Sequence, residues 1–138
     1  RARRMSRETI AGNSRYLCSP PSAAAYFMEE MRHREKEELR VAFLNTRGRL
    51  LKEKAIFVGT ANSSLISPRE IFLEALRVRA VSLILVHNHP SGDPEPSRED
   101  LLVTERIRRA GELLDISVAD HIIIGDNCFI SFKERGIF

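Results

Sequence analysis

The chain has little cysteine. Of its 138 residues only Cys18 and Cys128 carry a thiol, and they lie far apart in sequence. Two such residues make no disulfide framework and poor material for a thiolate metal cage, so a reducing cytoplasm is the expected setting. No run of eighteen apolar residues occurs and no signal peptide opens the chain, so neither a membrane span nor a membrane partner is expected. There is no internal repeat or low-complexity tract. Residue 1 is Arg rather than Met, which leads to the expectation of a fragment of a longer chain. A length of 138 residues fits one domain able to build its own core.

The net charge of +3 is unevenly placed. Residues 1–36 hold eight Lys or Arg against four Glu, so the remainder is slightly acidic. The basic character therefore belongs to a lead-in, residues 1–19, ahead of a domain spanning 20–138. Arg1, Arg3, Arg4 and Arg7 are candidates for contact with nucleic-acid phosphates, and a solvated linker is the reading preferred for them.

What is present reads as alternating helices and strands. Residues 22–32 are rich in helix formers, and Ala23, Phe27 and Met31 share one side. His33 follows among charges and reads as a helix-end residue. Residues 37–45 and 50–58 form two strands across the turn at 46–49. Leu65 and Ile66 read as a short extended piece. Ser67-Pro68-Arg69-Glu70 announces a helix, with Ser67 as cap, Pro68 in the first position and Glu70 completing a capping box. Residues 81–86 form an apolar, buried strand. A helix from 97 to about 114, strands at 116–125 and 128–132, and a closing turn at 133–138 complete the order. That order, α-β-β-α-β-α-β-β, predicts an α+β, sandwich-like fold on a mixed sheet.

The chemistry-bearing stretch is residues 86–100. His87 and His89 stand two apart where a strand ends, so both imidazoles project from one face and can converge on one ion. Pro90, Gly92, Pro94 and Pro96 turn the chain back. Ser97 has the place of a helix N-cap, which puts Asp100 in the first helical turn, facing the loop. Two His and one Asp form a three-ligand set with an open fourth position, the form typical of catalytic zinc. Ser97-x-x-Asp100 also has the form of a capping box, a role that by itself accounts for both residues. Asp93 and Glu95 read as turn residues, His121 as a satisfied, partly buried histidine, and Cys128 as a small packed hydrophobe.

The spacing His87-x-His89-x(7)-Ser97-x-x-Asp100, directly after a strand, resembles the JAMM (MPN-domain) zinc-hydrolase motif. The fuller run His-Asn-His-Pro-Ser-Gly-Asp-Pro-Glu-Pro-Ser resembles the bacterial RadC branch, as do Gly59-Thr60, Ser67-Pro68-Arg69-Glu70 and the segment Asp120-His121-Ile122-Ile123-Ile124-Gly125. The resemblance spans roughly residues 20–138. It implies a JAB-like, cytidine-deaminase-like mixed sheet flanked by helices, with Zn2+ on His87, His89 and Asp100. It also implies hydrolysis of a peptide or isopeptide bond in a peptide or protein substrate.

JAMM hydrolases take a general base from an earlier strand. Glu37 fits that position best and shares a face with Leu39, Val41 and Phe43, while Glu38, which shares one with Arg40, stays as the alternative. Ser97 is implied as an oxyanion donor. RadC proteins usually carry an N-terminal helix-hairpin-helix region, which this sequence lacks. The RadC context also implies a second reading, a non-catalytic module for DNA repair or recombination whose metal is structural.

Overall fold

The computed structural model describes residues 3–4, 16–59 and 62–138, without the side chains of Arg3, Arg4 and Ser63. In chain order the elements are β1 (Arg3–Arg4), α1 (Pro20–Met31), β2 (Glu38–Leu44), β3 (Leu50–Val58), a 3-10 turn (Ser63–Leu65), α2 (Pro68–Arg77), β4 (Ser82–Asn88), α3 (Arg98–Leu114), β5 (Ser117–Ile124), β6 (Cys128–Ser131) and α4 (Phe132–Arg135). The strands form one sheet in the order β1-β6-β5-β4-β2-β3. Only β4 and β5 run parallel, the connection passing through α3; every other pair is antiparallel.

Alternation along β2 and β4 builds a core on each side of this sheet. Leu39, Val41 and Phe43 of β2 and Leu83 and Leu85 of β4 pack with α2 and α3, through Ile71, Phe72, Val103 and Ile107. The intervening Ala42, Leu44, Ile84 and Val86 pack under α1, against Ala24, Phe27, Met28 and Met31. Because helices cover both faces, β4 reads as an unbroken apolar run rather than an alternating one.

Several boundaries differ from the sequence-based expectations. Helix α1 starts at Pro20, because Ser19 and Ser22 cap it reciprocally and the prolines occupy the first turn, where a missing N–H is harmless. Ser67 accepts from the Glu70 N–H as expected, but only that half of the capping box is formed. Leu65 belongs to a 3-10 turn, not an extended piece, with the Asn62 side chain accepting from the Ser64 N–H. Strand β4 continues past Val86 through Asn88, since His87 is paired on both sides and Asn88 with Ile124 of β5. Residues 132–135 coil into α4, capped by Ser131. Within the basic lead-in, Arg3 pairs with Phe129 and Arg4 with Cys128 of β6, and Leu17 is buried in the core beside α1. Arg1 and Arg7 lie outside the described residues.

Phe43 is fully buried in the core beneath α2 and α3, whereas Leu113 is 89 % exposed. Phe43→Ala should lower unfolding free energy by about 3–5 kcal/mol, the range for a truncated core phenylalanine. Leu113→Ala should stay within about 0.5 kcal/mol of the parent. Urea denaturation of the two variants checks this.

Candidate metal centre

Strand β4 carries the first histidine on its most rigid part. His87 is flanked by Leu39 of β2 and Ile123 of β5. Following Leu83 and Leu85, its ring lies on the α2/α3 side of the sheet and is 2 % exposed. His89 stands one residue beyond the strand, and its N–H still donates to the Ile124 carbonyl at 2.9 Å. The loop then folds onto the start of the β5–β6 turn. Gly92, at φ 90°, donates to the His89 carbonyl and accepts from the Asp126 N–H, each at 2.9 Å. A Cβ at position 125 would sit 2.4 Å from the Gly92 oxygen and 2.8 Å from Pro94 Cδ, so Gly125 is what lets the loop lie this close. Arg135 of α4 ties down Glu95 at 2.7 Å.

The loop delivers the chain to α3. Ser97 Oγ accepts from the Asp100 N–H at 3.2 Å, and the Ser97 N–H donates to Asp100 Oδ2 at 2.7 Å. The reciprocal cap is therefore present, and it aims the Asp100 carboxylate back toward the histidines. Asp100 is 1 % exposed. Burial pushes its carboxyl upward, but the two imidazoles and the Ser97 N–H outweigh this and hold it well below the usual carboxylate range. The positive end of α3 acts in the same direction.

The donor atoms crowd one another. His87 Nδ1 lies 2.9 Å from Asp100 Oδ1 and His89 Nε2 lies 3.1 Å from Asp100 Oδ2. His89 Nδ1 is 3.0 Å from the Asp93 carbonyl, which can only accept, so Nδ1 carries the hydrogen. In a neutral His89 the other nitrogen, Nε2, then presents a lone pair to a carboxylate oxygen. Two lone pairs at that distance repel unless a cation joins them, either a proton or a metal ion. Burial favours the neutral ring, yet Asp100, the Asp93 carbonyl and the charge of Glu37 raise the pKa of His89. His87 Nε2 and Asp100 Oδ1 are buried with no hydrogen-bond partner among the described residues, the 2.9 Å approach of His87 Nδ1 to Oδ1 lacking hydrogen-bond geometry. Buried polar atoms are seldom left so, and a bound cation would satisfy them.

Glu37 completes the cluster. It precedes β2 and continues the face of Leu39, Val41 and Phe43, with Oε2 3.7 Å from His87 Nε2. Glu37, His87 and His89 each offer a ligand atom within 4.8 Å of the others, a group able to hold a metal ion. Glu38 turns to the opposite face. There it is 4 % exposed and pairs with Arg40, whose guanidinium also reaches Glu30 of α1 and Glu53 of β3.

The chain matches the family model described as RadC-like JAB domain over residues 17–137. It is 52 % identical over 126 residues to a UPF0758 protein of Clostridium kluyveri, covering 91 % of this chain and 55 % of that protein. It is 48 % identical over 136 residues to a UPF0758 protein of Shouchella clausii, covering 99 % and 59 %, and 47 % identical over 135 residues to one of Geobacillus sp., covering 97 % and 59 %. The chain thus spans a little over half the length of these curated relatives.

The chain belongs to the RadC-like JAB domain family. Its mixed sheet flanked by helices is the JAB/MPN-type α+β fold, and among the described residues no helix is long and apolar enough to cross a membrane.

Around this RadC-like centre stand residues that motif spacing did not single out. Thr104, one turn after Asp100 on α3, donates from Oγ1 to the Asp100 carbonyl at 2.8 Å and also meets His121 Nδ1. A hydroxyl has one proton, so His121 must donate from Nδ1, which braces α3 against β5. His121 is fully buried and stacked on Phe132 at 4.5 Å, and its Nε2 has no hydrogen-bond partner among the described residues. It is thus more deeply buried and less satisfied than its place in the sequence suggested. The signal for Thr104 was its four-residue spacing from Asp100.

Burial drives the His121 pKa down to about 3. Since an unfolded histidine titrates near 6.5, the unfolded chain binds the extra proton between those values. Stability from this residue is full above about pH 6.5 and lost as pH falls toward 3, at up to about 1.4 kcal/mol per pH unit. Metal-free wild type should show that acid limb, and His121→Gln should show it flattened. Urea titrations at stepped pH measure the difference.

Proposed function

We propose that this RadC-like domain is a zinc-dependent hydrolase of peptide or isopeptide bonds, working in a reducing cytoplasm on a peptide or protein substrate. The observation that carries the reading is the division of labour between two carboxylates beside two imidazoles. Asp100 is buried, held ionised and fixed by the Ser97 cap, as a metal ligand should be. The Glu37 side chain is 28 % exposed and approaches His87 from the opposite side, as a proton carrier open to solvent should. His87, His89 and Asp100 would hold the ion, and imidazole with carboxylate suits zinc among common divalent metals. Zinc bound there would supply Lewis acidity, acidifying a water and polarising the scissile carbonyl.

The protein's own groups do the remainder. Glu37 takes the proton of the attacking water and passes it to the departing amine nitrogen. Ser97 Oγ already accepts from the Asp100 N–H, which leaves its own hydrogen to donate to the developing oxyanion. The Asp93 carbonyl keeps His89 in the tautomer whose Nε2 is free to ligate. Glu38 is committed to Arg40 on the other face, which favours Glu37 for the proton transfer.

The test is a screen of peptide and isopeptide substrates with wild type, Glu37→Gln and His87→Ala side by side, zinc being measured in each. Glu37→Gln should keep about one zinc per chain and lose on the order of 10²–10⁴ in rate, the share usual for general acid–base catalysis. His87→Ala should lose the zinc. Chelator-sensitive hydrolysis indifferent to Glu37→Gln would refute the mechanism.

A further inference from the structure

Between the two motif histidines stands Asn88, which the chemistry above leaves without a task. It is 1 % exposed. Its Oδ1 accepts from the Glu38 N–H at 2.7 Å, and its Nδ2 donates to the Lys36 carbonyl at 3.1 Å. Those two groups belong to the peptide units on either side of Glu37. The last Cα pair of the β2–β4 ladder is Leu39 with His87. Residues 36–38 therefore run beyond the β2–β4 ladder, and on that side one side-chain amide meets the Lys36 carbonyl and the Glu38 N–H in place of a main-chain group of β4. On the other side, the Glu37 carbonyl accepts from the Gly59 N–H at 2.7 Å.

We propose that Asn88 is a positioning residue: its carboxamide grips both peptide groups flanking Glu37 and so fixes that carboxylate against His87. The role rests on the reading of Glu37 as the proton carrier. It requires a planar group that accepts and donates at once. Aspartate can only accept, and alanine does neither, leaving a buried N–H and a buried carbonyl unpaired. The histidines themselves are held independently of Asn88, His87 by ladder pairing on both sides and His89 through Ile124. Loss of the grip should therefore release Glu37 and leave the ligands where they are.

The experiment compares wild type, Asn88→Ala and Asn88→Asp, each loaded with zinc, by metal content, amide hydrogen exchange and crystal structure. Asn88→Ala should keep wild-type zinc stoichiometry and wild-type protection of the Val41 and Leu85 amides. Its Glu38 amide should exchange about tenfold faster or more, and its Glu37 carboxylate should leave its place beside His87. Asn88→Asp, which differs by little more than one atom and serves if the alanine variant does not fold, should keep the Glu38 amide protected and displace Glu37 less. Unchanged Glu38 exchange with Glu37 in place would overturn the proposal. So would loss of zinc alongside the displacement, since Asn88 would then be holding the histidines. On any substrate found, Asn88→Ala should lower kcat on the order of 10²-fold with KM unchanged and add nothing in a Glu37→Gln background. If Glu37→Gln itself leaves the rate intact, the hydrolase mechanism falls, while zinc content, exchange and structure still decide what Asn88 does.

Discussion

The pairing register of β2 on β4 is the constraint on which the centre depends. With Leu39 opposite His87, the residue two before Leu39 lies on the same side of the sheet as the histidine rings, and the residue one before it lies on the other side. Side chains alternate with a period of two, so a slip of one position would exchange Glu37 for Glu38 and send the carboxylate toward α1. The register is held by burial on both faces. Leu39, Val41 and Phe43 cannot be exchanged with Ala42 and Leu44 without emptying one core and overfilling the other. The Arg40 cluster adds to this, because it fixes Glu38 on the α1 face through three carboxylates. Asn88 carries the same register two residues beyond the ladder.

The second support is the start of α3. One cap serves two ends: it satisfies the first N–H groups of a 17-residue helix, and it points Asp100 at the rings. The loop that brings the chain there is short and stiff, pressed on Gly125 and tied to α4 through Glu95 and Arg135. Behind it, Thr104 and His121 brace the helix against β5. The carboxylate is thus placed by backbone and buried groups rather than by a mobile surface side chain, which is how a metal ligand must be held if the ion is to find its site formed.

Much of this was legible in the sequence wherever the signal is local. Strand β3 has the bounds its residues suggested, and Ser67 and Ser97 cap the helices they precede. The motif spacing named His87, His89 and Asp100, which the fold brings side by side, while Glu37 came only from the family resemblance. Less legible were features whose cause lies far along the chain. Strand β4 outlasts its apolar run because His87 pairs with Leu39 and Ile123 and Asn88 with Ile124, a fact no window around residue 87 contains. The grip of Asn88 on residues 36 and 38 spans about fifty positions. His121 read as a satisfied, partly buried histidine, and only the packing of α3 and Phe132 over it shows a ring with an unpaired nitrogen.

Membership of the RadC-like JAB family accounts for the fold, and the chemistry proposed rests on which carboxylate binds the ion and which carries the proton. Both stand close enough to the histidines to compete for it. Anomalous diffraction at the zinc edge, from crystals of the zinc-loaded protein, decides between them most directly. The account predicts one peak within about 2.0–2.2 Å of His87, His89 and Asp100, with a solvent ligand in the fourth position and Glu37 hydrogen-bonded to that solvent. A peak bonded directly to Glu37, closing the fourth position with a protein ligand, or a peak lying elsewhere, would contradict it.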